Sequence, residues 1–217
     1  MEKEDYVEPA SKSFLSFLIG NKLWFSPKKT FNNLLNLPGT KYELLIVSIG
    51  GFVRLLEISH NKNLGDTYHW FVILIGSILC VPIWLVFYYA FWIVVLWTGK
   101  WLKGRATKKR IRTVAICGSI LSIWRLLVLC PLILIFKQDF FASVSPVTDD
   151  SFLFMILSSV NFIMFNLGLL ILLYIISTAQ EYSIIKSILN IILTVIVIII
   201  ATCPFTLWYF YNYVLPG

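Results

Sequence analysis

A chain of 217 residues with 59% hydrophobic and only 13% charged side chains, and a mean hydropathy of +0.83, falls outside the composition of soluble domains, where about a quarter of residues are charged. The formal net charge is +7, and the charges gather in short segments between long apolar runs. That segregation excludes a water-soluble globular fold and makes lipid the solvent for most of the chain.

The chain opens with MEKEDYVEP, in which Glu2, Glu4, Asp5 and Glu8 precede any apolar stretch. A cleavable signal starts with a basic region, so neither a signal peptide nor lipoprotein processing is expected. Phe14, Phe17 and Leu18, at i, i+3 and i+4, predict one amphipathic helix. Phe31, Leu34 and Leu35, opposite Asn32, Asn33 and Asn36, predict a second, both lying on the inner membrane surface. Ser26 suits the N-cap of the second, Pro27 its first position, and Pro38-Gly39 its end, with Lys28 and Lys29 toward anionic headgroups.

A membrane-spanning helix needs roughly 20 mainly apolar residues to cross about 30 Å of hydrocarbon. Five stretches qualify: Tyr42 to Ser59, Trp70 to Thr98, Thr113 to Phe136, Phe152 to Thr178 and Ile184 to Tyr211. The first is the least apolar, because it holds Glu43, Arg54 and Glu57. Barrel strands would alternate in polarity, whereas ILNIILTVIVIIIA does not. The expected fold is therefore all-α, a polytopic membrane bundle of five transmembrane helices. Residues 1–40 form its cytoplasmic segment with the amphipathic helices, and residues 41–217 its transmembrane domain.

Counting basic residues by side sets the orientation. With the N-terminus inside, the inner segments hold Lys3, Lys12, Lys22, Lys28, Lys29, Lys41, Lys186 and the seven of the loop between the second and third spans, fourteen in all. The outer loops hold only Lys62 and Lys137. The chain is thus expected N-in and C-out. Trp70, Trp97, Trp101, Trp208, Tyr209, Tyr211 and Tyr213 fall at the span ends, as interfacial anchors do.

Two charges lie deep within spans. Arg54 and Arg125 each stand about 18 Å along their helix from its inner end, near mid-membrane. An unpaired charge at that depth costs at least about 2.5 kcal/mol, so each should face the bundle interior with a partner. Glu57, one turn from Arg54, is the obvious one. An Arg54, Glu57 and Arg125 cluster, completed by Asn161 and Asn166 of the fourth span, would form either a polar site for an anion or headgroup, or an ion pair that fixes helix register.

The loop bearing Lys100, Lys103, Arg105, Lys108, Lys109, Arg110 and Arg112 carries +7 with no acid. It serves topology and attracts anionic lipid at about 1 kcal/mol per basic residue, and a specific phospholipid or acidic partner is the sharper alternative. No recognition fold accompanies the charge, so nucleic acid is not an expected partner.

Pro82, Pro131 and Pro204 sit inside spans and shape the bundle. Cys80, Cys117, Cys130 and Cys203 lack metal-ligand spacing and are expected as small buried thiols. His60 and His69 beside Asp66 have a spacing unhelpful to zinc, and Gln180, Glu181 and Lys186 are expected to cap helices and face water. No catalytic motif can be placed on one side of the membrane, so no enzyme, metal or cofactor is expected.

The segments SPKKTFNNLLNLP, TGKWLKGRATKKRIRTVAICGSIL and LGLLILLYIISTAQEYSIIKSILNIIL give a pattern across Leu23 to Tyr211 that resembles the Yip1 family of five-span membrane proteins. The resemblance implies a five-helix membrane fold with a cytosolic N-terminus. Eukaryotic members are associated with small GTPases and vesicle trafficking. Here FSPKKTF stands where they carry an acidic-aromatic motif, so the resemblance is to a bacterial member. The expected role is a structural or adaptor protein that binds partner proteins or organises anionic lipid at the inner face. The alternative is a small transporter, channel or lipid-moving protein built on the Arg/Glu cluster, which with five spans per chain would need a homo-oligomer.

Overall fold

A computed structural model describes residues 22–36, 41–143 and 151–209 of the chain. All regular structure among the described residues is helical. Two short helices, α1 (Lys22–Phe25) and α2 (Pro27–Asn36), precede five long ones: α3 (Lys41–Asn61), α4 (Trp70–Trp101), α5 (Lys108–Phe136), α6 (Phe152–Gln180) and α7 (Ile184–Tyr209). The last four are long and apolar enough to cross a membrane. In hydrocarbon a helix satisfies its backbone within the segment, which is why uniformly apolar stretches such as α4 and α7 adopt it.

The ends of these helices are set by side-chain caps and left-handed stops. Thr107 accepts a hydrogen bond from the amide of Arg110 at 3.3 Å, and Ser151 one from Phe154 at 3.2 Å. Each satisfies a donor that the first turn leaves unpaired. Glu181, at φ 59°, closes α6 in a left-handed conformation. The Thr107 cap starts α5 at Lys108, five residues before the expected Thr113.

The long helices form a closed ring, α3 against α5, α5 against α6, α6 against α7, α7 against α4 and α4 against α3. One core, including Ile120, Val114, Ile175, Ile176 and Val95, fills the end at which the α4–α5 and α6–α7 connections lie, called here the basic end. The other, including Leu56, Leu129, Leu132 and Phe141, fills the opposite end. Outward faces stay apolar and exposed, as at Leu79, Val86, Ile185 and Ile200. An apolar surface of this extent is tolerated only where lipid covers it.

Close helix approach depends on Gly50 and Gly51 of α3. A methyl group at Gly50 would fall 2.9 Å from Ser119 Cβ of α5, and one at Gly51 would fall 2.3 Å from Trp84 Cδ1 of α4. Adjacent glycines thus seat α3 against two neighbours at once. Pro82, Pro131 and Pro204 lie within α4, α5 and α7 as expected.

The apolar side of α2 packs on protein. Phe31 and Leu34 are buried in the core at the basic end, while Asn32, Asn33 and Asn36 are exposed. The earlier cluster of Phe14, Phe17 and Leu18 and the Pro38-Gly39 stop lie outside the described residues. Of the cysteines, Cys117 is buried as expected, whereas Cys80, Cys130 and Cys203 are exposed.

Candidate functional site

Glu57 lies three residues after Arg54 on α3, so both project from one helix face toward α5 and α6. Arg54 Nη1 donates to Glu57 Oε2 at 2.9 Å. Arg125 of α5 pairs through Nη2 with the other oxygen, Oε1, and its Nε donates to Asn161 Oδ1 of α6 at 3.1 Å. One carboxylate therefore serves two guanidinium groups from different helices. The ring of Phe165, also on α6, lies 4.9 Å from the Arg125 guanidinium carbon and 5.7 Å from that of Arg54, within cation–π range.

This layer keeps a net charge of +1, and it is unevenly covered. Glu57 and Arg125 are buried, whereas the Arg54 side chain is 40% exposed. Two cavities flank it. One of about 320 Å³, bordered by Glu57, Asn161, His60 and Ser158, faces the opposite end. One of about 120 Å³, bordered by Gly118, Ser122 and Gly168, faces the basic end. Arg54, Arg125 and Phe165 line both. The charges thus close on one another and still border open space.

Four of the five expected cluster residues meet, and Asn166 does not. Its amide donates to the carbonyl of Phe162 one turn back on α6 at 2.8 Å, and its side chain is exposed. Asn161 and Asn166 are five residues apart, about 500° of helical rotation, so they cannot share one face.

The seven basic residues split by element. Lys100 lies in the last turn of α4, Lys103 and Arg105 lie in the connection, and Lys108, Lys109, Arg110 and Arg112 ride on the first turns of α5. Arg112 Nε donates to Glu43 Oε2 of α3 at 2.6 Å, and Arg110 pairs with Glu181. Among the described residues no carboxylate pairs with Lys100, Lys103, Arg105, Lys108 or Lys109. Glu43, the acid in the first turn of α3, is buried against Arg112 of α5.

Gln180 overturns the expectation that it faces water. It is wholly buried, and its Oε1 accepts from the amide of Ala106 at 3.3 Å while its carbonyl accepts from that of Arg105 at 2.9 Å. Gly99 and Gly104 make room for it, since a methyl group at either would lie 2.0 or 2.3 Å from its amide atoms. The α4–α5 connection is thereby clasped onto the end of α6.

A second polar seam joins α4 to α7. Thr98 Oγ1 donates to Asn190 Oδ1 at 2.6 Å and lies 2.8 Å from Thr194 Oγ1. Asn190 Nδ2 in turn donates to the Val95 carbonyl at 3.2 Å and to the Tyr182 hydroxyl at 2.8 Å. Burial pushes the Tyr182 phenol up to about 12. Sequence reading missed this seam, although Asn190 and Thr194, four apart in an otherwise apolar stretch, carry its signal.

At the opposite end, His60 stacks on Phe140 at 4.4 Å, and His69 accepts from the amide of Phe71, so the two histidines serve separate local contacts. No group of His, Cys, Asp and Glu that could hold a metal occurs among the described residues. Gln138 ties the two connections there, accepting from the Trp70 amide at 2.7 Å and donating to the Tyr68 carbonyl at 2.9 Å.

No family model, curated protein or solved structure matches the chain. Four helices among the described residues that are long and apolar enough to cross a membrane, and the exposed apolar surface around them, define the class, a helical integral membrane protein.

Proposed function

We propose that this chain is a Yip1-like membrane protein of five spans that acts as a structural or adaptor component, binding partner proteins or organising lipid at the inner membrane face. α3 supplies the fifth span. Its 21 residues reach about 30 Å, and its interior charges Glu43, Arg54 and Glu57 all have partners. The reading places the basic end in the cytoplasm of a bacterium, with α2 at the interface, and includes no catalytic step.

The observation that carries it is the clasped platform at the basic end. Gln180 holds the connection in one conformation, and Lys100, Lys103, Arg105, Lys108 and Lys109 have no carboxylate partner among the described residues. A loop serving topology alone would need the charge but not the clasp. Affinity purification in mild detergent, comparing wild type with K103E/K108E/K109E, tests it. Wild type should retain partner proteins or anionic lipid above the bulk membrane level, and the variant should lose them. A wild-type chain that emerges alone with bulk lipid would overturn the reading.

The cavities on both faces of the Arg54–Glu57–Arg125 layer favour a second reading, a small transporter, channel or lipid-moving protein. Arg125→Met would then abolish flux in proteoliposomes while the protein stays folded in detergent. Absence of flux in wild type, or collapse of the variant, would leave the layer a register-fixing ion pair.

A further inference from the structure

The crevice between α2 and α6 has two compartments that share Lys28 and Asn32. The larger one, about 890 Å³, is bordered by Phe25, Leu170, Ile171 and Tyr174, with Lys29 and Asn33 at its edge. The other, about 500 Å³, is bordered by Arg110, Ser177, Thr178 and Glu181. Along α6 the lining changes from Leu170 to Glu181 over about 16 Å of helix. It passes from wholly apolar through hydroxyl to ionic, the order met on crossing from hydrocarbon to headgroup.

We propose that this crevice binds one anionic glycerophospholipid, its phosphate between Lys28 and Arg110 and an acyl chain along Leu170 and Tyr174. Charge and shape select that occupant together. Lys28 and Arg110 border the polar compartment with the single carboxylate of Glu181, already paired with Arg110, and Lys29 borders the adjoining compartment, so the crevice as a whole offers +2 to a phosphodiester. A soluble anion would leave the apolar compartment unused, with Phe25 81% and Leu170 62% exposed beside it. The crevice exists before lipid arrives, because buried Leu23 anchors α1 and buried Phe31 and Leu34 anchor α2.

The site rests on the inner-face reading above, and sharpens it from a diffuse basic surface to one lipid in one place. Native mass spectrometry of the full chain, released from detergent with added phosphatidylglycerol or phosphatidylcholine, tests it. Wild type should retain one phosphatidylglycerol in preference to phosphatidylcholine by about tenfold or more. K28Q/K29Q should weaken retention by a similar factor, and L170W should do so by filling the acyl slot without changing charge. K108Q/K109Q, which removes the same charge outside the crevice, should change it less than about twofold.

Equal loss in the two lysine pairs, or full retention in L170W, would overturn the site while leaving a basic lipid-attracting face intact. No preference for phosphatidylglycerol in wild type would overturn the site and the lipid-organising reading together.

Discussion

Glu57 sets the charge balance of the bundle interior, since one carboxylate offsets two guanidinium groups. Removing it leaves both cations without an anion in a low-dielectric setting, while removing Arg125 leaves a neutral Arg54–Glu57 pair. Glu57→Gln should therefore cost about 3–5 kcal/mol, the loss typical of an orphaned buried charge. Arg125→Met should cost less, about 1–3 kcal/mol for the lost charge-assisted bonds. Urea unfolding in mild micelles compares them, and an Arg125→Met loss as large as that of Glu57→Gln would refute the balance. At this scale the sequence was informative about charge and silent about its surroundings. An arginine 18 Å deep demands a partner on energetic grounds alone, so Arg54, Glu57 and Arg125 were legible. Phe165, which covers both guanidinium groups, is one phenylalanine among 17, and nothing in its neighbours marks it.

The existence of the long helices followed from hydropathy, but their ends, set by caps such as Thr107, and the seams between them did not, because apolar packing in lipid gives little direction. Polar contacts supply it. Thr98 and Asn190, wholly buried, fix the register of α4 on α7 through a 2.6 Å bond, and Asn190 also holds the Val95 carbonyl. Hydrogen bonds between membrane helices contribute about 0.6 kcal/mol on average and up to about 1.7 kcal/mol. Asn190→Leu, which breaks several contacts, should fall at the upper end of that range. A double-mutant cycle with Thr98→Val should show coupling between the two, measured by thermal unfolding in detergent. Strictly additive losses would mean that the bond contributes nothing and that α4 and α7 are held by shape. Gln180 was misjudged for a related reason. Polar residues at a helix end ordinarily meet water, and only the pairing of Gly99 with Gly104 around it, invisible before α4 and α6 are brought together, makes it a buried clasp.

For the molecule as a whole, the contested question is whether α3 crosses the membrane. By composition alone four helices qualify, and α3 is the one left out. Glu43 is paired with Arg112, and Glu57 with both Arg54 and Arg125, so a crossing by α3 would bury paired charges instead of bare ones. It also packs along α5, with Gly50 at the contact. If α3 spans, α2 and the α3–α4 connection lie in opposite compartments. If it does not, they share one. Single cysteines at the exposed positions Asn32 and Thr67, in a background with the four native cysteines replaced by serine, separate the cases. An impermeant maleimide applied to intact cells should label Thr67→Cys at once and Asn32→Cys only after permeabilisation. Labelling of both from the same side would remove the fifth span, and with it the placement of the clasped basic platform and the α2 crevice on one cytoplasmic face.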